Sequence, residues 1–375
     1  METNVLYKRT KNQAIQTWQI FIDGDSFFTR EGILGGKITQ SKPTKCKAKS
    51  IGRVNETTPE QQAVKEAKSK IDKKLKHGYT EDIDEIDNVD MFYEPMLAKK
   101  YQDYKDVLKF PLKINFKLDG LRCVTNHIGG KTRNGEIYQS IPHITHALKC
   151  VFEFDKLALL DGELYNHEFH DDFSKIQSLA TKKKLSIPDI MRTAELLQYH
   201  IYDVPRFGKY DETDKFSDRF FEFKDFYDKH PEIHHCIKLV PAYTVNNFEE
   251  IDTYLEKFLK DGYEGAIIRI DAGYENKRSK NLLKYKKFID EEFKILDILA
   301  GKGNKAGMAA KMTFRSASGN LFNSNIKGKH EWLKEVLKRK EELIGKMATV
   351  QYFNLTPDKQ VPRFPYVVKI DRCDI

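Results

Sequence analysis

An α+β fold in several units is predicted by three observations. The chain has 375 residues, 40% of them hydrophobic, which is enough for two or three domains and at least one large core. From Met91 to about Asp290, short strand-like runs alternate with helical stretches. From Glu291 onward, several strand-like runs and one helix fit a small β-barrel. A reversal of charge near residue 80 sets off a further, N-terminal α+β module. The predicted organisation is a module over 1–80, a linker over 81–90, a central α+β domain over 91–290 and a barrel over 291–375.

In the N-terminal module, Trp18-Gln19-Ile20-Phe21-Ile22 has the aromatic and β-branched content of a strand. Thr58 is placed to cap a helix, with Pro59 in its first position and Gln61 completing a capping box. Val64, Ala67, Ile71 and Leu75 recur at helical spacing and are its expected buried stripe. Lys65, Lys68, Lys73 and Lys76 fall largely outside that stripe, as a solvated face or as a phosphate-contacting surface. Lys37 to Lys76 is strongly basic, with Lys42, Lys45, Lys47, Lys49 and Arg53 close together. Glu81, Asp82, Asp84, Glu85, Asp87 and Asp90 then reverse the sign, as in a linker.

The formal charge of +8 makes an anionic partner plausible without choosing among DNA, RNA and acidic lipid. No apolar run approaches the roughly 20 residues of a membrane helix, and the start lacks a secretory pattern. Cys46, Cys123, Cys150, Cys236 and Cys373 are odd in number, scattered and never spaced C-x-x-C. Neither a disulfide framework nor a zinc site is expected, and the protein is expected to be soluble and cytoplasmic.

The central domain carries the chemistry. Leu112, Ile114, Phe116 and Leu118 share one face of a predicted strand. Lys113, Asn115 and Lys117 share the other, so Lys117 is expected to project away from the core on a rigid mount. The run Phe116-Lys117-Leu118-Asp119-Gly120-Leu121-Arg122 places an amine two residues from a carboxylate, then a glycine for a tight turn and an arginine for phosphate or sugar. A lysine amine attacks nothing while protonated, but burial, neighbouring cations or a metal release it as a nucleophile.

Four motifs follow. Thr132-Arg133-Asn134-Gly135 is a polar turn with an arginine. Leu159-Leu160-Asp161-Gly162-Glu163-Leu164 puts Glu163 at a turn-to-strand junction. Tyr199-His200-Ile201-Tyr202-Asp203-Val204 sets an aromatic beside an acid, and Tyr263-Glu264-Gly265 precedes a β-rich run. Finally, Leu282-Leu283-Lys284-Tyr285-Lys286 places two lysines on one strand face. One nucleophile, two carboxylates, an aromatic and several cations form an inventory for attack on a nucleotide α-phosphate.

In the last segment, strands are expected at Phe293 to Ile298, Lys311 to Phe314 and Ala348 to Phe353. A helix there carries Trp332, Leu333, Val336 and Leu337 on one face. The pattern fits an OB-type barrel. The Ala300-Gly301-Lys302-Gly303-Asn304-Lys305-Ala306-Gly307 loop lacks the G-K-S/T ending of a phosphate loop, so its glycines are expected to serve turns.

This ordered set resembles the ATP-dependent DNA ligases of the covalent nucleotidyltransferase superfamily, from about Pro95 to the C-terminus. Pro95-Met96-Leu97-Ala98 is similar to the lead-in of these enzymes. The resemblance implies a nucleotidyltransferase (adenylation) domain followed by an OB-fold. It also implies ATP and Mg²⁺ as cofactors, and nicked double-stranded DNA as the partner of a monomer without membrane attachment. Lys117 would form the lysyl-AMP. Arg122 and Arg133 would hold the ribose and then the 5′-phosphate of the nick. Glu163 would bind ribose or metal, Glu264 would assist the metal, and Tyr202 would stack on adenine. Lys284 and Lys286 would contact the α-phosphate, and Arg363 the pyrophosphate, with Lys369 and Arg372 nearby in the last basic motif.

Many relatives carry glutamate where this chain has Asn115, whose amide oxygen still accepts a bond from the adenine amino group. The N-terminal module loosely resembles a WGR-type DNA-binding module, with Glu31-Gly32-Ile33-Leu34-Gly35-Gly36 where the signature would lie. DNA contacts are expected there from Lys42, Lys45 and Lys47. An RNA ligase, a capping guanylyltransferase and a non-catalytic DNA-end-binding protein are the alternatives.

Overall fold

A computed structural model describes residues 2–10, 12–52, 54–87, 92–302, 305–356 and 358–370. Arg53, Asp90, Met91, Gly303, Asn304, Arg372 and Cys373, all considered above, lie outside the described residues. The chain divides into two compact units, Met1–Tyr93 and Glu94–Ile375.

The first unit is a sheet with one helix. Strands β1 (Leu6–Arg9), β2 (Ile15–Asp23), β3 (Ser26–Ile33) and β4 (Ile38–Gln40) follow one another antiparallel, and β5 (Thr44–Lys45) pairs with β3. Trp18, Ile20 and Ile22 alternate along β2 and pack with Leu6 and Phe27 against helix α1 (Pro59–Lys76). The cap is as the sequence predicts: Thr58 Oγ1 accepts from the Gln61 amide at 3.2 Å, and Gln61 Oε1 accepts from the Thr58 amide at 3.0 Å.

The stripe of α1 is offset from expectation. Val64 is exposed, and Ala63 is buried together with Ala67, while Ile71 and Leu75 pack at the margin. Two alanines let the helix lie close to the bulky Trp18 and Ile20, and that rotation turns Val64 outward. The acidic stretch also finds partners on its own unit. Tyr7 and Thr80 bridge β1 to it, Asn4 Nδ2 donates to Glu81 at 2.9 Å, and Arg9 Nη2 donates to Asp87 at 2.7 Å.

The second unit begins with two five-stranded sheets. One has the order β13-β7-β14-β15-β6, from β6 (Leu97–Lys100), β7 (Leu112–Lys117), β13 (Tyr243–Val245), β14 (Gly265–Arg269) and β15 (Arg278–Tyr285). The other has the order β12-β11-β10-β8-β9, from β8 (Leu121–Asn126), β9 (Gly129–Thr132), β10 (Leu159–Tyr165), β11 (Gln198–Arg206) and β12 (Ile237–Leu239). Leu112, Ile114, Ala266 and Ile268 pack on Ile251, Leu255 and Phe258 of helix α7 (Phe248–Lys260). The second sheet buries Leu160, Leu164, Tyr199 and Ile201. Helices α2 (Pro142–Ala147) and α4 (Phe173–Thr181) supply Ile144 and Ile176 to that core, and α6 (Phe216–Asp228) supplies Phe223. The short helices α3 (Lys149–Phe154) and α5 (Ile187–Leu196) complete this part.

The remaining strands form a six-stranded sheet of order β16-β20-β21-β19-β18-β17. They are β16 (Ile289–Lys294), β17 (Asp297–Ala300), β18 (Ala309–Arg315), β19 (Leu321–Ile326), β20 (Met347–Tyr352) and β21 (Tyr366–Ile370), with helices α8 (His330–Lys338) and α9 (Lys340–Leu343) between β19 and β20. Phe293 of β16 and Phe314 of β18 have ring centroids 6.0 Å apart, although three strands separate them in the sheet. In a flat sheet they would stand about 19 Å apart. The sheet is therefore strongly curved around a single core, to which α8 adds Leu333 and Val336.

The run expected from Phe293 to Ile298 is two strands, broken at Ile295-Leu296. Two strands escaped the sequence reading. In β19, Phe322, Ser324 and Ile326 point inward, and the serine disguises the alternation. Prolines at 362 and 365 precede β21 and argue against a central strand. Trp332 is exposed and leaves the buried face of α8 to Leu333 and Val336. No helix among the described residues is long and apolar enough to cross a membrane.

Candidate active site

Lys117 is the last residue of β7. Its carbonyl accepts from the Glu264 amide at 3.0 Å, and Gly265 is its partner in the β7–β14 ladder. This register sets the Glu264 carboxylate beside the Lys117 amine, and the two form an ion pair. The same carboxylate pairs through its other oxygen with Lys286, just beyond β15. Glu264 is buried and both lysines largely so. Lys117 thus points away from the α7 core, as expected, but into a cleft and not toward solvent. Burial holds its amine below the usual lysine range, opposed by the charges of Glu163 and Asp119 and reinforced by Arg122. Lys286 is pulled down to about 7, chiefly by burial and then by Lys117.

Asn115, Lys117, Arg122, Arg133, Glu163, Tyr202, Lys284 and Lys286 all line one cavity of about 280 Å³ between the two sheets. Leu97, Ala98, Phe116, Leu118, Ile267 and Leu282 give it an apolar wall. Seven of its sixteen lining residues are Lys or Arg and one is acidic, so it suits a polyanion with an apolar or aromatic part. Burial, then Lys117, Arg278, Lys100 and Arg133, lowers the pKa of Lys284. Burial also pushes the Glu163 carboxyl up, against the pull of Lys117 and Arg122.

Arg122 of β8 is gripped by Asp161 of β10 through a two-pronged ion pair, and its Nη2 also donates to the Met96 carbonyl at 3.0 Å. Tyr274 completes the arrangement: its hydroxyl donates to Asp161 at 2.6 Å and accepts from the Met96 amide at 2.7 Å. The Tyr202 hydroxyl donates to Glu163 Oε2 at 3.1 Å, and the Arg122 guanidinium stands 5.1 Å from its ring centre. Behind Tyr202 lies a buried charge cluster, in which Asp203 pairs with both Arg219 and Arg269. Arg269 Nη2 donates to the Tyr202 carbonyl at 3.1 Å.

Two glycines that suggest turns serve close approach instead. A Cβ on Gly120 would lie 2.4 Å from the Leu164 carbonyl oxygen and 2.8 Å from Glu163 Cγ. One on Gly162 would lie 2.4 Å from the His200 carbonyl oxygen and 2.6 Å from the Tyr199 ring. Glu163 is accordingly in mid-strand, opposite Arg122 in the β8–β10 ladder, and not at a turn-to-strand junction.

Arg363, before β21, pairs with Asp119 at 2.8 Å, so the last segment reaches the motif that carries Lys117. Its neighbour across the loop, Phe353, lies with its ring centre 5.1 Å from Lys286 Nζ. Asp119 and Glu264 line an adjoining cavity of about 370 Å³ with Asp171 and His170. Lys42, Lys45 and Lys47 lie in the first unit, all exposed, with Lys45 paired to Asp25 at 3.2 Å. Lys369 is an exposed residue of β21. Sequence reading missed Asp161 and Tyr274, together with Arg269 and Arg278 of the cavity wall.

The family model described as the ATP dependent DNA ligase domain matches residues 95–286. The DNA ligase of African swine fever virus (isolate Tick/Malawi/Lil 20-1/1983) is 26% identical over 358 residues, covering 89% of this chain and 81% of that one. The DNA ligase of Enterobacteria phage T4 is 26% identical over 312 residues, covering 67% of this chain and 62% of that one. Among solved structures, a Lig E DNA ligase matches with a TM-score of 0.61 at 23% identity over 75% of this chain and all of that chain. A structure named Pmar-Lig_PreS3 matches with a TM-score of 0.63 at 19% identity over 76% of this chain and 70% of that one. These structures share the fold. The chain belongs to the ATP-dependent DNA ligase family.

Proposed function

We propose that the protein seals nicks in duplex DNA through a lysyl-AMP at Lys117. The observation that carries this assignment is the Lys117 amine itself. It sits at the end of a strand, its charge is disfavoured by burial, and it opens on a cavity walled by cations. Freed of its proton, it attacks the α-phosphorus of ATP. A nitrogen–phosphorus bond forms as the bond to pyrophosphate breaks. The 5′-phosphate at the nick then takes the AMP, and the 3′-hydroxyl displaces AMP to close the strand. Each step is an in-line displacement at phosphorus, so positioning and charge neutralisation supply most of the catalysis.

Lys284, Lys286 and Arg133 neutralise phosphate charge, Tyr202 supplies a ring for the base, and Asn115 offers its amide to the adenine edge. Arg363, held by Asp119, faces the outgoing pyrophosphate. Mg²⁺ suits the carboxylates present, because it is held by one or two of them together with substrate phosphates. Glu163 and Glu264 would hold it. Glu264 now neutralises two ammonium groups, a role that bound phosphates would take over, which would free its carboxylate for the ion. When bound, the ion would draw charge off the phosphate oxygens.

Incubation with radiolabelled ATP and Mg²⁺, a denaturing gel and peptide mass mapping test the assignment. Label on Lys117, absent with GTP and absent in Lys117→Ala, is expected. An unmodified Lys117 in active protein overturns it. The N-terminal unit is assigned to DNA binding in the manner of a WGR-type module. Starting the chain at Glu94 is expected to weaken binding to nicked duplex while leaving self-adenylation nearly intact, and equal loss of both refutes that division of labour.

A further inference from the structure

The segment between β14 and β15 carries a hydroxyl that no step above uses. Tyr274 is buried there, and its amide donates to the Glu212 carbonyl at 2.8 Å, in the connection between β11 and α6. The first residues of the second unit are laced to the same segment. Asn276 Nδ2 donates to the Glu94 carbonyl at 2.8 Å, and the Leu97 amide donates to the Lys277 carbonyl at 2.9 Å. Between these two bonds lies Met96, also buried. Its amide donates to the Tyr274 hydroxyl, and its carbonyl accepts from Arg122.

A closed circuit results. It runs from the Met96 amide to the Tyr274 hydroxyl, on to Asp161, across to Arg122 and back to the Met96 carbonyl. A tyrosine hydroxyl has one proton to give. Here it goes to Asp161, because the Met96 N–H can only donate. The hydroxyl therefore ties the carboxylate to the Met96 peptide by a path that does not pass through Arg122. Phenylalanine would fill the same space and leave the circuit open at two points.

The circuit sits next to the cavity wall. Leu97 and Ala98, which follow Met96, line the Lys117 cavity together with Arg122, whereas Tyr274 is not one of its lining residues. An arginine side chain has several rotatable bonds, and ordering them when a ligand arrives weakens binding. Arg122 is held at Nε and Nη2 by a carboxylate that is itself held, so that ordering is complete beforehand. We propose that Tyr274 is a positioning residue for the Lys117 cavity: by fixing Asp161 and the Met96 peptide to each other, its hydroxyl keeps Arg122 aimed at the bound nucleotide. The identity of that ligand rests on the DNA-ligase reading.

The test uses the full chain, freed of any bound AMP with pyrophosphate, and α,β-methylene-ATP, whose AMP cannot be transferred. Tyr274→Phe is expected to raise the Kd for this analogue about fivefold. With ATP and Mg²⁺ it is expected to raise KM for self-adenylation by the same factor and to leave kcat within about twofold, because Lys117 is untouched. Tyr227→Phe controls for stability alone. It removes a hydroxyl that donates to the Ile237 carbonyl at 3.0 Å, on the same sheet as Asp161, and should lower the melting temperature without moving KM or Kd. Arg122→Lys supplies the second background. A lysine cannot span both carboxylate oxygens, so the hydroxyl has no guanidinium left to aim. There, Tyr274→Phe is expected to change the Kd by less than about twofold. An unchanged Kd in Tyr274→Phe, an equal loss in both backgrounds, or a variant that no longer folds overturns the positioning role. Unaltered protein that binds the analogue yet takes no label from ATP overturns the ligase reading, while the Kd values still decide the role of Tyr274.

Discussion

Replacing Arg219 with methionine tests the support behind the Lys117 cavity. The Arg219 side chain is fully buried in α6 and spends its guanidinium on three acceptors. Nε donates to the Val204 carbonyl at 3.0 Å, Nη2 donates to Asp203 at 3.0 Å, and Nη1 donates to the Asp214 carbonyl. Methionine fills much of the volume but removes the guanidinium's bonds to the Val204 and Asp214 carbonyls and leaves Asp203 Oδ1 with only the Val204 amide. Removing one partner of a buried ion pair costs about 3–5 kcal/mol. Arg269 still holds the other oxygen of Asp203, so the lower end applies. With about 2–4 °C lost per kcal/mol in a domain of this size, the melting temperature is expected to fall by roughly 10 °C.

Thermal melting with and without ATP reads that loss. At a temperature where both proteins are folded, KM for ATP is expected to rise more than kcat falls. Tyr202 is adjacent to Asp203, and its carbonyl is held by Arg269. Asp203→Asn added to Arg219→Met should cost much less than the two single losses together, because both remove the same interaction. A melting point within about 2 °C of the unaltered protein, or strict additivity, refutes the coupling.

The other expectations follow from single contacts. Burial pulls Lys286 down to about 7, so KM for ATP is expected to rise as pH increases through that value. Lys286→Arg, charged throughout, should flatten the rise, and an unchanged KM profile would contradict the role given to burial. Gly162→Ala must displace the His200 carbonyl or the Tyr199 ring, and should cost about 2–3 kcal/mol in urea unfolding. Asn115→Ala removes the amide assigned above to the adenine edge and should raise KM for ATP about fivefold, as measured by initial adenylation rates.

The reactive residues were legible because each lies in a short string whose neighbours reveal a strand. Leu112, Ile114 and Phe116 fix the period that turns Asn115 and Lys117 the other way, and the β7–β14 ladder then brings Glu264 alongside. The supporting residues carry no such local signal. Asp203, Arg219 and Arg269 are spread over 67 positions and meet only because α6 and β14 converge behind β11. Asp161-Gly162 has the composition of a turn, and only the crowding by Tyr199 and His200 explains a glycine in mid-strand.

Arg122 marks the boundary between the two kinds of knowledge. Its motif announces a cation for phosphate or sugar. The structure shows Nε and Nη2 already committed to Asp161 and the Met96 carbonyl, which leaves Nη1 as the nitrogen with no partner among the described residues. A sequence can name the arginine proposed to meet the nucleotide. Which of its N–H groups is available depends on a carboxylate 39 residues away that no spacing rule would pair with it. The motif therefore specifies the charge, and the fold fixes its direction by holding the rest of the guanidinium still.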